Sequence, residues 1–217
     1  MPMHTSTYPR KSRRCLLALL LATLLIVGAA PARTSWSASY QPNEVSSQQT
    51  VGIYQNIPGL TTQQIEYGRT AIPRLHYNGQ RILRKICTLP GVNFESAKQV
   101  MELLSQERFT FEQVQTFEAF SSIASTDVKS GIAALDTVKQ LSFEASRSFR
   151  AFVGMQGVTS HQALAMISTL NNMGDTNNRA AQAFFKINGM RVDIALKGMP
   201  GLMRLRDNQA KAAEAYA

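Results

Sequence analysis

Apolar and polar positions divide the chain into four stretches. Residues 15–28 are almost wholly apolar. Residues 33–50 are polar, rich in Ser and Gln, and without periodicity. From about Val51 to Leu205 apolar residues recur at helical spacing, and the last stretch, 206–217, is Ala-rich. Within 51–205 a short group returns: Ile57-Pro58-Gly59-Leu60, Leu89-Pro90-Gly91-Val92, Phe120-Ser121-Ser122-Ile123, Met155-Gln156-Gly157-Val158 and Ile187-Asn188-Gly189-Met190. Its third member falls at positions 59, 91, 122, 157 and 189, so the group recurs at nearly even intervals.

The flanks agree with this register. Five residues before the turn stand Tyr54, Ile86, Phe117, Phe152 and Phe184, and eight before stand Val51, Leu83, Val114, Phe149 and Ala181. Six after stand Ile65, Ala97, Val128, Ala163 and Ala195. Ten after stand Arg69, Met101, Ile132, Ile167 and Met199, and thirteen after stand Ile72, Leu104, Leu135, Leu170 and Leu202. All but Arg69 are apolar. Spacings of three and four residues mark one face of an α-helix, so each group predicts helix, tight hairpin, helix. No alternating pattern competes. The expected fold class is all-α, with about five tandem units of roughly 32 residues packed as one array. The recurrence of Phe117, Phe152 and Phe184 at one helical position marks them as core rather than as stacking platforms. Met101, Met155, Met166 and Met199 read as core fillers in the same way.

The stretch 1–32 has a different purpose. Arg10, Lys11, Arg13 and Arg14 precede the apolar run, and Ala30-Pro31-Ala32 follows it. A charged start, an apolar stretch of about 14 residues and an Ala-x-Ala site together predict a secretory signal peptide over 1–32, cleaved after Ala32. The run falls short of the roughly 20 residues that span a bilayer. The expected organisation is a signal peptide over 1–32, a flexible linker over 33–50, helical hairpins over 51–205 and a basic, Ala-rich tail over 206–217. The expected location is periplasmic or extracellular, without integral membrane association after cleavage.

Removal of the leader alters the charge. The whole chain carries 23 basic and 14 acidic residues, a net +9. The leader takes four of the bases and none of the acids, leaving 19 against 14, or +5, on the mature chain 33–217. The excess gathers in two clusters. The segment 69–85 holds Arg69, Arg74, Arg81, Arg84 and Lys85 with no acid between them. The second cluster holds Lys197, Arg204, Arg206 and Lys211 against Asp207, with Arg191 just before it. Lys211 apart, these basic residues are candidate contacts for an anionic partner.

Catalytic and metal chemistry find no support in the pattern. The histidines are His4, His76 and His161, in separate stretches, and there is no Cys-x-x-Cys, His-x-x-x-His, phosphate loop or Gly-x-Ser-x-Gly. No catalytic residue, metal ligand or cofactor is expected, and the chain reads as a non-enzyme. After cleavage Cys87 is the single cysteine; between Ile86 and Leu89 it reads as a buried small hydrophobe.

The hairpin, clearest in Leu89-Pro-Gly-Val-Asn-Phe-Glu-Ser-Ala97-Lys-Gln-Val100, resembles the helix-hairpin-helix repeat. That family has the signature apolar-x-Gly-apolar-Gly-x-x-x-Ala-x-x-apolar-apolar. Tandem copies occur in exported competence proteins that bind incoming DNA and in the lumenal extrinsic subunit of photosystem II, which binds protein. The resemblance covers roughly residues 51–202. It implies that Gly59, Gly91, Gly157 and Gly189 are the hairpin glycines, where backbone N–H groups meet a phosphate in DNA-binding copies. The family's second glycine is replaced throughout, by Thr61, Asn93, Ala124, Thr159 and Arg191. Three of these are good helix N-caps, and Thr61 with Gln64 and Thr159 with Gln162 fit a capping box. Two functions follow as expectations. The first is an exported, non-catalytic module that binds a protein partner in the cell envelope. The alternative is a sequence-nonspecific DNA-binding protein of the uptake type.

Overall fold

The computed structural model describes residues 42–216, and side chains from residue 46. The predicted leader and the start of the predicted linker therefore lie outside the described residues. Among the described residues eleven α-helices follow one another: α1 Pro42–Gln55, α2 Thr62–Ala71, α3 Tyr77–Ile86, α4 Phe94–Gln106, α5 Phe111–Ser121, α6 Val128–Val138, α7 Phe143–Val153, α8 Ser160–Asn171, α9 Asp175–Phe185, α10 Val192–Met203 and α11 Asp207–Tyr216. A 3-10 turn, Ile72–Arg74, joins α2 to α3. No strand occurs among the described residues, and the fold class is all-α.

The helices form two rows. Each odd-numbered helix packs on the next odd one, from α1 through α11, and each even-numbered helix folds back on the odd helix before it. Small and polar side chains fill part of the seam between odd helices. Gln80 of α3 donates to Ser47 Oγ of α1 at 2.9 Å, and Ser148 of α7 donates to the Asn178 carbonyl of α9 at 2.5 Å. Amides in the first turns of three odd helices, Asn78, Gln113 and Asn177, donate to carbonyls that follow the even helix. Gln113 reaches the Lys139 carbonyl at 2.7 Å and Asn177 the Leu205 carbonyl at 3.1 Å. These bonds satisfy C-terminal carbonyls that the helix leaves without partners.

The apolar core runs the length of both rows. Tyr54, Phe117, Phe120, Phe149 and Phe152 are its largest fully buried side chains. Each buried phenyl side chain contributes about 1.5–3 kcal/mol relative to exposure. Gly68 lets α2 lie against α1: a Cβ there would sit on Cε1 of Tyr54 and 2.5 Å from its Cδ1.

Four tight turns have a glycine in the left-handed region, Gly59 at φ 78°, Gly91 at 79°, Gly157 at 84° and Gly189 at 77°. They are the four glycines that the spacing places in hairpins. The third turn differs from the sequence reading. Ser122 is still right-handed, at φ −86°, and caps the C-terminus of α5. The turn comes three residues later, through Ile123, Ala124 and Ser125. Counted from Ser125 the turns fall at positions 59, 91, 125, 157 and 189, a more even series than the sequence reading gives. Phe120 and Phe117 then occupy the positions five and eight before the turn, and both are fully buried. Ser125 needs no positive φ. Its Oγ instead accepts from Ser160 N–H at 2.8 Å, tying the third turn to the fourth.

Two boundaries also move. Residues 42–50, expected in the flexible linker, form the first part of α1, with Ser46, Ser47 and Thr50 buried. A helix whose buried side is Ser and Thr leaves no apolar stripe in the sequence. Residues 207–216 of the expected tail form α11, which packs on α9 and buries Ala210.

Candidate binding surfaces

The even helices begin at the turns, and most of these starts are closed by their own side chains. Thr61 Oγ1 accepts from Gln64 N–H while Gln64 Oε1 accepts from Thr61 N–H, a complete capping box. Asn93 with Ser96 and Thr159 with Gln162 repeat it. Asp127, which holds the corresponding place in the corrected third unit, accepts from Ser130 N–H at 2.8 Å. Hydrogen bonding from Ser130 holds the Asp127 carboxyl below the ordinary carboxylate range. At these four starts one of the N–H groups that a phosphate would use already has an intramolecular partner. Among the even helices only α10, which starts after Arg191, lacks a side-chain cap. Arg191 is bound back to Asp193 through two hydrogen bonds of 3.0 and 3.3 Å.

The first basic cluster is dispersed by the fold. Arg81 makes a two-pronged bond to Glu118 of α5, at 3.0 and 2.6 Å, with only 14% of its side chain exposed. Arg84 donates to Gln49 of α1 at 3.1 Å. Arg69 lies 3.5 Å from Glu66 in an exposed pair. Arg74 and Lys85 are exposed. Similar bonds join other odd helices: Arg150 of α7 to Glu112 of α5 at 2.6 Å, and Arg179 of α9 to Glu214 of α11 at 3.3 Å. Glu112 and Glu118 thus neutralise arginines from neighbouring units. The second cluster stays open: Lys197, Arg204, Arg206 and Lys211 are all exposed. Arg69, the single polar residue in the apolar pattern, belongs to the first even helix, where no earlier even helix lies behind it among the described residues.

Three exposed aromatic rings occupy one position that the sequence reading missed. Tyr77, Phe111 and Phe143 are the first residues of α3, α5 and α7, and each stands at the same distance in sequence before its turn at Gly91, Ser125 or Gly157. Tyr77 is 37% exposed, Phe111 and Phe143 55%. α3 packs on α5 and α5 on α7, so the first residues of the three helices follow one another along the row at the ordinary helix spacing of about 8–10 Å. Two rings carry a guanidinium. Arg81 stands 5.2 Å over Phe111 and Arg147 stands 5.5 Å over Phe143. Arg81 is therefore fixed between a carboxylate and a ring. The signal is present in the sequence, but with the third turn set at Ser122, Phe111 drops out of register with Tyr77 and Phe143 and the series disappears.

No protein family, curated protein or solved structure matches this chain. Among the described residues no group of His, Cys, Asp and Glu could hold a metal ion, and no helix is long and apolar enough to cross a membrane. Cys87 is buried, and burial pushes its thiol up to about 12, so it is unionised at neutral pH.

Proposed function

We propose that this chain is an exported, non-catalytic array of five helix-hairpin-helix-like units that binds a protein partner in the cell envelope. The partner docks along the edge formed by Tyr77, Phe111 and Phe143. The recurrence of an exposed ring at one position in three successive units carries this reading. Exposed apolar rings cost solubility, and aromatic residues with Arg are enriched where proteins bind one another. Arg81 and Arg147 are ordered over their rings, so little side-chain entropy is lost on binding. The charge along the edge is mixed, with Glu112, Glu118 and Glu144 beside Arg150, Arg81 and Arg179. Such a surface suits a protein better than a nucleic acid, whose phosphates select for unpaired cations.

Export and binding have separate tests. N-terminal sequencing of the protein recovered from its cells should begin at Arg33, and an intact N-terminus would refute the leader. A photo-crosslinking amino acid at position 143 should give a discrete protein adduct in whole cells, absent when the same group is placed at exposed Ser168. Adducts equally frequent from both positions would refute the edge. Binding of duplex DNA that falls steeply with salt would favour the uptake reading instead.

A further inference from the structure

The even row ends in a face unlike its beginning. At the first two junctions, where one even helix receives the next, it uses the positions eight, twelve and fifteen after its turn. Tyr67, Ala71 and Arg74, at those positions of the first unit, line a groove with Met101, Glu102 and Ser105 of α4. Gln99 and Leu103 of α4 face Ile132 and Asp136 of α6 in the same way. Gln140 of the third unit accepts from Asn171 of α8 at 3.4 Å. In the last unit these positions are Lys197, Gly201 and Arg204, preceded on the same stripe by Ile194. All four are exposed, Ile194 at 47%, and Met203 beside them at 43%. An apolar rung, a residue without a side chain and two cations thus lie along one helix face. Asp193 is occupied by Arg191, and no ion pair engages Lys197, Arg204 or Arg206 among the described residues.

We propose that this stripe of α10 docks an amphipathic helix of a partner protein, with an acidic residue one turn beyond an apolar one. Charge and geometry define that occupant. The cations at the eighth and fifteenth positions call for an anionic partner, and the earlier junctions show how it would lie. Both helices received at those junctions carry an acid at the eleventh position after their turn, Glu102 in α4 and Asp136 in α6. Glu102 shares its groove with Arg74, which holds the same position in the first unit as Arg204 does in the last. Gly201 allows close approach of the incoming backbone, and Ile194 supplies the apolar contact. The face is separate from the edge of Tyr77, Phe111 and Phe143.

The test uses a probe taken from the chain itself, a labelled peptide copying residues 126–140 and stapled into a helix between positions 129 and 133. That placement leaves Ile132 and Asp136 free. Fluorescence anisotropy with the full chain should show saturable binding with a Kd below about 1 mM. Ile194→Asp, at an exposed site, should retain the helical circular dichroism and weaken binding at least ~10-fold, as loss of a central contact does. Lys197→Glu with Arg204→Glu should weaken it similarly, and a peptide with Asp136→Lys should recover binding to that double variant. Equal affinity for wild type and Ile194→Asp, or no saturation below about 1 mM, would overturn the proposal. A dimer of the full chain that Ile194→Asp dissociates would also overturn it, by assigning the face to a second copy. The assay leaves the aromatic edge untouched, so either surface can fail without the other.

Discussion

Replacing Gly91 by Ala, and Ser125 by Gly, tests the register of the turns. Gly91 has φ 79°, and a Cβ there would meet only Val128 Cγ1 at 3.6 Å, an ordinary contact. The cost is therefore conformational. A left-handed residue with a side chain costs about 1–2 kcal/mol, and the stiffer unfolded chain returns about 0.4–1 kcal/mol of it. Gly91→Ala should thus destabilise by about 1 kcal/mol, which lowers Tm by about 2–4 °C in a domain of this size. Ser125 holds the corresponding place in the third turn without a positive φ, so glycine relieves nothing there. Ser125→Gly removes the acceptor for Ser160 N–H, a loss of about 1 kcal/mol, and loosens the unfolded chain further. It should lower Tm by a similar amount. Thermal unfolding followed by circular dichroism at helical wavelengths reads both. A Tm raised by Ser125→Gly, or left unchanged by Gly91→Ala, would refute the assignment of the turns.

Three further predictions follow from the packing. Gly68→Ala drives a methyl into the ring of fully buried Tyr54 and should destabilise by about 1–3 kcal/mol, more than Gly91→Ala in the same unfolding assay. A double-mutant cycle on Arg81→Ala and Glu118→Ala should give a coupling of about 1–2 kcal/mol, since both side chains are mostly shielded; a coupling near zero would show that the pair is merely adjacent. Burial raises the Tyr54 phenol from its ordinary 10 to about 12, with Cys87 and Tyr67 adding to it. A raised acid favours the folded state while it is neutral. This stabilisation is complete below pH 10 and should fade as pH rises towards 12, with urea midpoints falling over that interval and Tyr54→Phe flattening the fall.

Much of the fold is legible in the sequence because the signal is redundant. Four glycines in tight turns and apolar residues at five offsets all point to helical hairpins. The same redundancy conceals the true place of the third turn. Phe120-Ser-Ser-Ile123 and Ile123-Ala-Ser-Thr126 both open on an apolar residue followed by two small ones, and a slip of three residues is close to one helical turn. The apolar stripe therefore matches in either register. The more even spacing of the turns and the exposed position at Phe111 betray the slip. The N-terminal half of α1 is hidden because its buried side is Ser46, Ser47 and Thr50. The dispersal of the basic cluster at 69–85 is hidden in the sequence for a spatial reason. Charge is counted along the chain, whereas Glu118 meets Arg81 across two neighbouring helices. The second cluster is legible because its cations remain exposed in the fold.

The bonds that join neighbouring units span similar lengths of chain: 33 residues for Gln80 to Ser47, 37 for Arg81 to Glu118, 38 for Arg150 to Glu112 and 30 for Ser148 to Asn178. Each unit thus needs only the one before and the one after. Inserting or deleting one turn-to-turn segment would leave every local junction of the same kind in place. It would move the α10 stripe relative to the aromatic edge by one helix spacing, about 10 Å. Seen this way the protein is a ruler: the number of units between two surfaces sets the distance at which two partners could be held apart.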